Sequence, residues 1–136
     1  MSNTEESLLK GLNEPQRQTV TTRDGPILVL AGAGSGKTKT LVHRLAYLIS
    51  QEQIPPEQIL AVTFTNQAAK EMRQRVQALI GRVAKSQPTV GTFHSVSARW
   101  LRHEAAAVGY PSHYSIYDED DQLSLIKEAL KAQGIG

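Results

Sequence analysis

The sequence contains no cysteine, which excludes a disulfide framework and a thiolate metal site. It has no apolar run long enough to span a bilayer. Residues 1–7 are acidic and polar and lack the apolar stretch of a secretory signal. A soluble, cytoplasmic protein without a membrane partner is the expectation. There is no internal repeat, no low-complexity segment and no linker. At 136 residues the chain has room for one modest domain with a real core. His43, His103 and His113 show no metal-ligand spacing and read as surface or satisfied residues.

Acidic residues are scarce in the middle of the chain. From Gly25 to Tyr117 there are ten Lys or Arg against four Asp or Glu, and the two ends carry five against nine. The net charge of +2 therefore conceals a basic middle and acidic ends. A basic middle suits polyanions, nucleotide or nucleic acid; a solvated surface with chance clustering would look the same.

What is present is more specific. Residues 27–30 are apolar and lead into Ala31-Gly32-Ala33-Gly34-Ser35-Gly36-Lys37-Thr38. This is a phosphate-binding loop of the Walker A kind. Its glycines allow turn angles that a Cβ resists. Its N–H groups can converge at the start of the helix that follows, where the dipole favours anions. Lys37 supplies a cation for the terminal phosphates and Thr38 a hydroxyl for Mg²⁺. The strict pattern opens with Gly where this chain has Ala31, which the looser pattern accepts.

Helix and strand alternate around this loop. Asn13 is placed to cap a helix with Pro15 in its first turn, ending before Asp24-Gly25-Pro26. Residues 26–31 read as a buried parallel strand. A helix follows over 37–51, with Leu41, Val42, Leu45, Leu48 and Ile49 on one face. Residues 59–64 form a second strand, and 66–80 a helix closed by Gly81. Residues 88–93 form a third strand and 94–108 a third helix. A last helix spans 118–133, with Leu123, Ile126 and Leu130 turned inward. This alternation predicts an α/β fold with a parallel sheet and flanking helices.

Ligands collect at the carboxyl ends of parallel strands. There stand Phe64-Thr65-Asn66 and Thr92-Phe93-His94-Ser95, polar–aromatic clusters suited to single-stranded nucleic acid. Alternatively, Phe64 and Phe93 plug the core while Asn66 and His94 serve as caps or satisfied loop residues. Trp100 reads as a packing residue. Arg73 and Arg75 read as a solvated helix face rather than phosphate contacts.

Four motifs occur in one order: Leu12-Asn13-x-x-Gln16, the loop at 31–38, Thr63-Phe64-Thr65-Asn66-x-Ala68-Ala69-x-x-Met72, and Gly91-Thr92-Phe93-His94-Ser95. Together they resemble the first RecA-like domain of the UvrD/PcrA/Rep helicases of superfamily 1, over nearly the whole chain. The resemblance implies a P-loop NTPase fold, ATP with Mg²⁺, and single-stranded DNA. It implies that Gln16 reads the adenine edge; a capping box with Asn13 is compatible with that role. It implies catalytic-site roles for Lys37 and Thr38. It implies DNA contacts by Phe64, Thr65 and Asn66 and by Thr92, His94 and Ser95. Residues 1–112 then belong to the ATP-binding domain, and 113–136 begin an inserted helical subdomain.

The acidic motif that holds Mg²⁺ and positions water is missing. The run Asp118-Glu119-Asp120-Asp121 fits the cap and first turn of the last helix, where carboxylates are favoured. The second RecA-like domain and its arginines are also missing. The expectation is an N-terminal part of a longer helicase, with an incomplete sheet. Open strand edges invite pairing with a second copy or a partner.

Overall fold

The computed structural model describes residues 3–81 and 86–134. Arg82 and Lys85, counted in the basic middle, lie outside the described residues, as do Met1, Ser2, Ile135 and Gly136. Six α-helices are described: α1 (Asn3–Leu9), α2 (Glu14–Thr21), α3 (Lys37–Ser50), α4 (Asn66–Ile80), α5 (Phe93–His103) and α6 (Glu119–Ala132). Strands β1 (Leu60–Thr63) and β2 (Thr89–Thr92) pair in parallel, Leu60 with Thr89 through Thr63 with Thr92. The chain is thus mixed helix and strand, with a small two-stranded parallel sheet in which β1 pairs with β2. No described helix is long and apolar enough to cross a membrane.

Two compact units divide at Val96/Ser97. In the first, α4 crosses from β1 to β2. Its apolar residues recur at helical spacing, and Ala69, Met72, Val76 and Ile80 are buried. They pack with Val42, Leu45, Ala46 and Ile49 of α3 and with Ala61 and Val90 of the sheet. Full burial of such a side chain contributes about 1.5–3 kcal/mol. Val20 of α2 and Tyr47 of α3 join Leu9 and Leu12 in a second cluster. The helix α1, not foreseen from the sequence, delivers Leu8 to the first cluster and Leu9 to the second.

Several expectations fail. The strand over 26–31 does not form: residues 26–32 take no regular structure, and Leu28 and Leu30 are 84% and 87% exposed. A strand is stabilised by its ladder and by covered faces, and no described strand pairs with this segment. In the second unit, Leu123, Ile126 and Leu130 do not turn into a core; α6 buries no residue. The helix is held locally, by a capping box between Asp118 and Asp121. The acidic run is therefore a helix start, as its composition indicates. The third helix is shorter than expected: α5 ends at His103, and 105–108 form a 3-10 turn closed by Gly109. Trp100 on α5 is half-exposed, so the packing role read for it is not seen.

Candidate functional site

The loop at 31–38 leads directly into α3. Gly34 and Gly36 have φ of +74° and +84°, left-handed values that favour glycine. Gly36 is the N-cap of α3, so the loop ends where a helix exposes its first N–H groups. Lys37 folds back over the loop: its Nζ donates to the carbonyls of Ala31 (2.9 Å) and Gly32 (2.7 Å). An ammonium has three donors, so one remains for an anion. Ser35 Oγ donates to the Gly32 carbonyl at 2.7 Å. Thr38, the second residue of α3, is exposed. A cavity of about 290 Å³ is lined by Gln16, Ala31, Gly32, Ser35, Lys37 and Thr40, among others.

Gln16 reaches this loop from α2. Asn13 and Gln16 form the capping box: Gln16 N donates to Asn13 Oδ1 (3.0 Å), and Asn13 N donates to Gln16 Oε1 (3.1 Å). The same side chain donates from Nε2 to the Ser35 carbonyl at 3.0 Å. The capping role was legible in the sequence; the tie to Ser35 was not, since it joins residues nineteen positions apart.

Basic side chains of α3 fasten it to α1 and α2. Lys39 Nζ donates to the Gly11 carbonyl at 2.7 Å. Arg44 donates to the carbonyls of Thr19 (2.7 Å) and Thr22 (2.6 Å). His43 Nδ1 lies 2.6 Å from the Leu8 carbonyl; a carbonyl only accepts, so this nitrogen carries the proton. His43 and Arg44 thus meet carbonyls at the ends of α1 and α2, where backbone acceptors lack partners within the helix. Arg73 is exposed, in keeping with a solvated helix face, and also donates to the Val90 carbonyl at 2.6 Å. Arg75 pairs with Glu71, one turn away. Part of the basic middle is therefore internal capping.

A second cluster lies at the ends of β1 and β2. The parallel register sets Thr63 beside Thr92, which brings the next residues, Phe64 and Phe93, together. Their ring centroids are 5.9 Å apart at a 48° tilt. Phe64 is 92% exposed and Phe93 52%, so neither plugs the core. Asn66 and His94 are exposed and are not the caps. Thr65 is the N-cap of α4 and accepts from Ala68 N. Thr92, buried, accepts at Oγ1 from Ser95 N, while Ser95 Oγ accepts from Thr92 N. Thr65, Thr92 and Ser95 thus build the turns, and Phe64, Asn66 and His94 face outward. Phe93 belongs with them, and the strand register adds that its ring stands against that of Phe64.

The UvrD/REP helicase N-terminal domain model matches residues 12–135. The chain is 46% identical over 129 residues to the ATP-dependent DNA helicase PcrA of Staphylococcus epidermidis, covering 95% of this chain and 18% of that protein. It is 48% identical over 128 residues to the ATP-dependent DNA helicase PcrA of Bacillus subtilis, covering 94% of this chain and 17% of that protein. The chain therefore spans under a fifth of the length of these relatives. Since the match runs from residue 12 to residue 135, nearly the whole chain, the chain belongs to the UvrD/REP helicase N-terminal domain family.

Proposed function

We propose that this chain is the N-terminal ATP-binding part of a RecA-like, ATP-dependent DNA helicase that moves 3′ to 5′ along a single strand and unwinds duplex DNA. One observation carries the reading: glycine-built loop, lysine and base-side glutamine converge on one cavity at the head of α3. The triphosphate would lie on the loop, with N–H groups and Lys37 neutralising its charge. Gln16 would read the adenine edge. Thr38 offers one hydroxyl, which suits Mg²⁺, an ion bound by one or two protein oxygens plus phosphates and water. No group of three or more His, Cys, Asp or Glu converges among the described residues, so Thr38 would be its contact in this chain.

Phe64, Asn66 and His94 would meet single-stranded DNA, with Phe64 and Phe93 as a stacking platform worth about 1–3 kcal/mol per base. Thr65, Thr92 and Ser95 would contribute by holding the turns that present them. Residues 1–112 would form the ATP-binding domain and 113–136 the start of a helical insertion.

A second reading is a module that binds ATP and single-stranded DNA without turnover. It is favoured by one feature: among the described residues no Asp or Glu follows β1 or β2 at the strand end, the place where a carboxylate would position the attacking water. Calorimetry of Mg-ATP binding tests the common part of both readings. Lys37→Ala abolishes binding; unchanged affinity would refute the phosphate-loop assignment. DNA-stimulated ATPase of the chain is negligible on either reading, and robust turnover would show that another residue replaces the acidic motif.

A further inference from the structure

We propose that Gln16 is a positioning residue for the phosphate loop itself, one that matters to a bound polyphosphate whether or not a base is attached. The inference deepens the nucleotide-binding reading and rests on it. A base-reading glutamine needs only to present a donor and an acceptor to the purine edge. Here both ends of the amide already have protein partners: Oε1 holds Asn13 N, and Nε2 holds the Ser35 carbonyl.

The peptide plane makes the second contact consequential. In a trans peptide the carbonyl of one residue and the N–H of the next point in opposite directions. Fixing the Ser35 carbonyl against Gln16 therefore aims the Gly36 N–H away from Gln16. Gly36 is the cap of α3, and donors at that point suit an anion. No backbone donor among the described residues holds the Ser35 carbonyl. The other loop ties fall on different peptides: Ser35 N and Oγ reach Gly32, Lys37 reaches Ala31 and Gly32, and Thr40 N and Oγ1 reach the Gly36 carbonyl. Among the described residues, only the Gln16 contact holds the 35–36 peptide from outside the loop.

The approach is close as well as polar. A Cβ built on Gly36 would lie 3.0 Å from Gln16 Nε2. The amide is in turn oriented from a fixed base, since the capping box ties Gln16 to the start of α2, and Arg44 ties the end of α2 to α3. The amide nitrogen carries two N–H donors, one on the Ser35 carbonyl and one left for an adenine edge. Base recognition and loop geometry therefore draw on the same amide group.

Calorimetry with magnesium tripolyphosphate, a probe without a base, tests this on the chain and four variants. Gln16→Ala weakens binding by about fivefold, the equivalent of one ordinary hydrogen bond. Gln16→Met, which fills the space without a donor, weakens it similarly. Asn13→Ala removes the α2 cap but leaves the Nε2 contact, and stays within about twofold of the unaltered chain; this separates loop positioning from helix stability. Lys37→Ala abolishes binding. If the unaltered chain does not bind the probe, or Lys37→Ala leaves binding unchanged, the phosphate-loop reading falls and this inference with it. If Lys37→Ala abolishes binding while Gln16→Ala leaves it intact, or Gln16→Met restores it, or Asn13→Ala weakens it as much, only the inference falls.

Discussion

Helices α4 and α6 are 15 and 14 residues long, and each starts at a side-chain cap. Each carries apolar residues at helical spacing. Yet α4 buries four of them and α6 none. Leu123, Leu125, Ile126 and Leu130 of α6 remain 42–55% exposed. Spacing selects the helix and aligns its apolar face; burial requires a second surface. The position of α4 between two adjacent parallel strands returns it onto their sheet. No strand precedes α6 in its unit, and its caps hold it instead. The same contrast separates Thr89–Thr92, which has a ladder partner, from residues 27–30, which are more apolar and have none.

The largest expected effect exploits this contrast. Met72→Ala on α4 destabilises the chain by about 2–5 kcal/mol, the range for emptying a packed core site. Ile126→Ala on α6 changes stability by less than about 0.5 kcal/mol, as at a surface position. Denaturant midpoints measure both, and equal losses would show that the apolar face of α6 is packed in solution.

A smaller effect sharpens the comparison within the first unit. A Cβ on Gly91 would meet Ser95 Oγ and Val96 Cγ2, each at 2.9 Å, whereas one on Gly32 meets nothing within 4 Å. Gly91→Ala therefore costs about 1–3 kcal/mol of overpacking strain and disturbs the turn that presents Phe93 and His94. Gly32→Ala leaves the unfolding midpoint within about 0.5 kcal/mol of the unaltered chain. Similar midpoints for the two variants would mean that the β2–α5 turn yields more easily than its contacts suggest.

The smallest effect concerns an exposed carboxylate. Glu57 is held below its ordinary pKa, first by the hydrogen bond from Ser86 and then by a backbone hydrogen bond. A lowered folded-state value means that this contact stabilises the fold above the ordinary carboxylate range and is lost as pH falls through the lowered value. Ser86→Ala returns the Glu57 titration, followed by carboxyl NMR shifts, toward its ordinary position. A titration that stays put would assign the shift to the backbone.

Much of the local structure around the candidate site was legible because its signals are local. The Asn13–Gln16 capping box spans three residues, the glycines of the loop mark where φ turns positive, and the period of α4 lies within one helix. Other features depend on residues distant in sequence. Ser35 meets Gln16 across nineteen positions, and Arg44 meets Thr22 across twenty-two. Charge counting could not foresee that Lys39, Arg44 and Arg73 would donate to backbone carbonyls of the chain itself. The aromatic pair follows from strand register, which two separate apolar runs do not reveal until they align.

The sequence by itself determined where helices begin, which of their faces is apolar, and which residues could hold a phosphate. Those properties arise from short-range sterics, capping hydrogen bonds and side-chain chemistry. Tertiary structure decided which apolar faces are covered and which cations remain outward. It also decided that Phe64 stands beside Phe93, and that one glutamine ties α2 to the glycine-rich loop at 31–38. Burial and pairing belong to two surfaces at once, and a periodic pattern specifies only one of them.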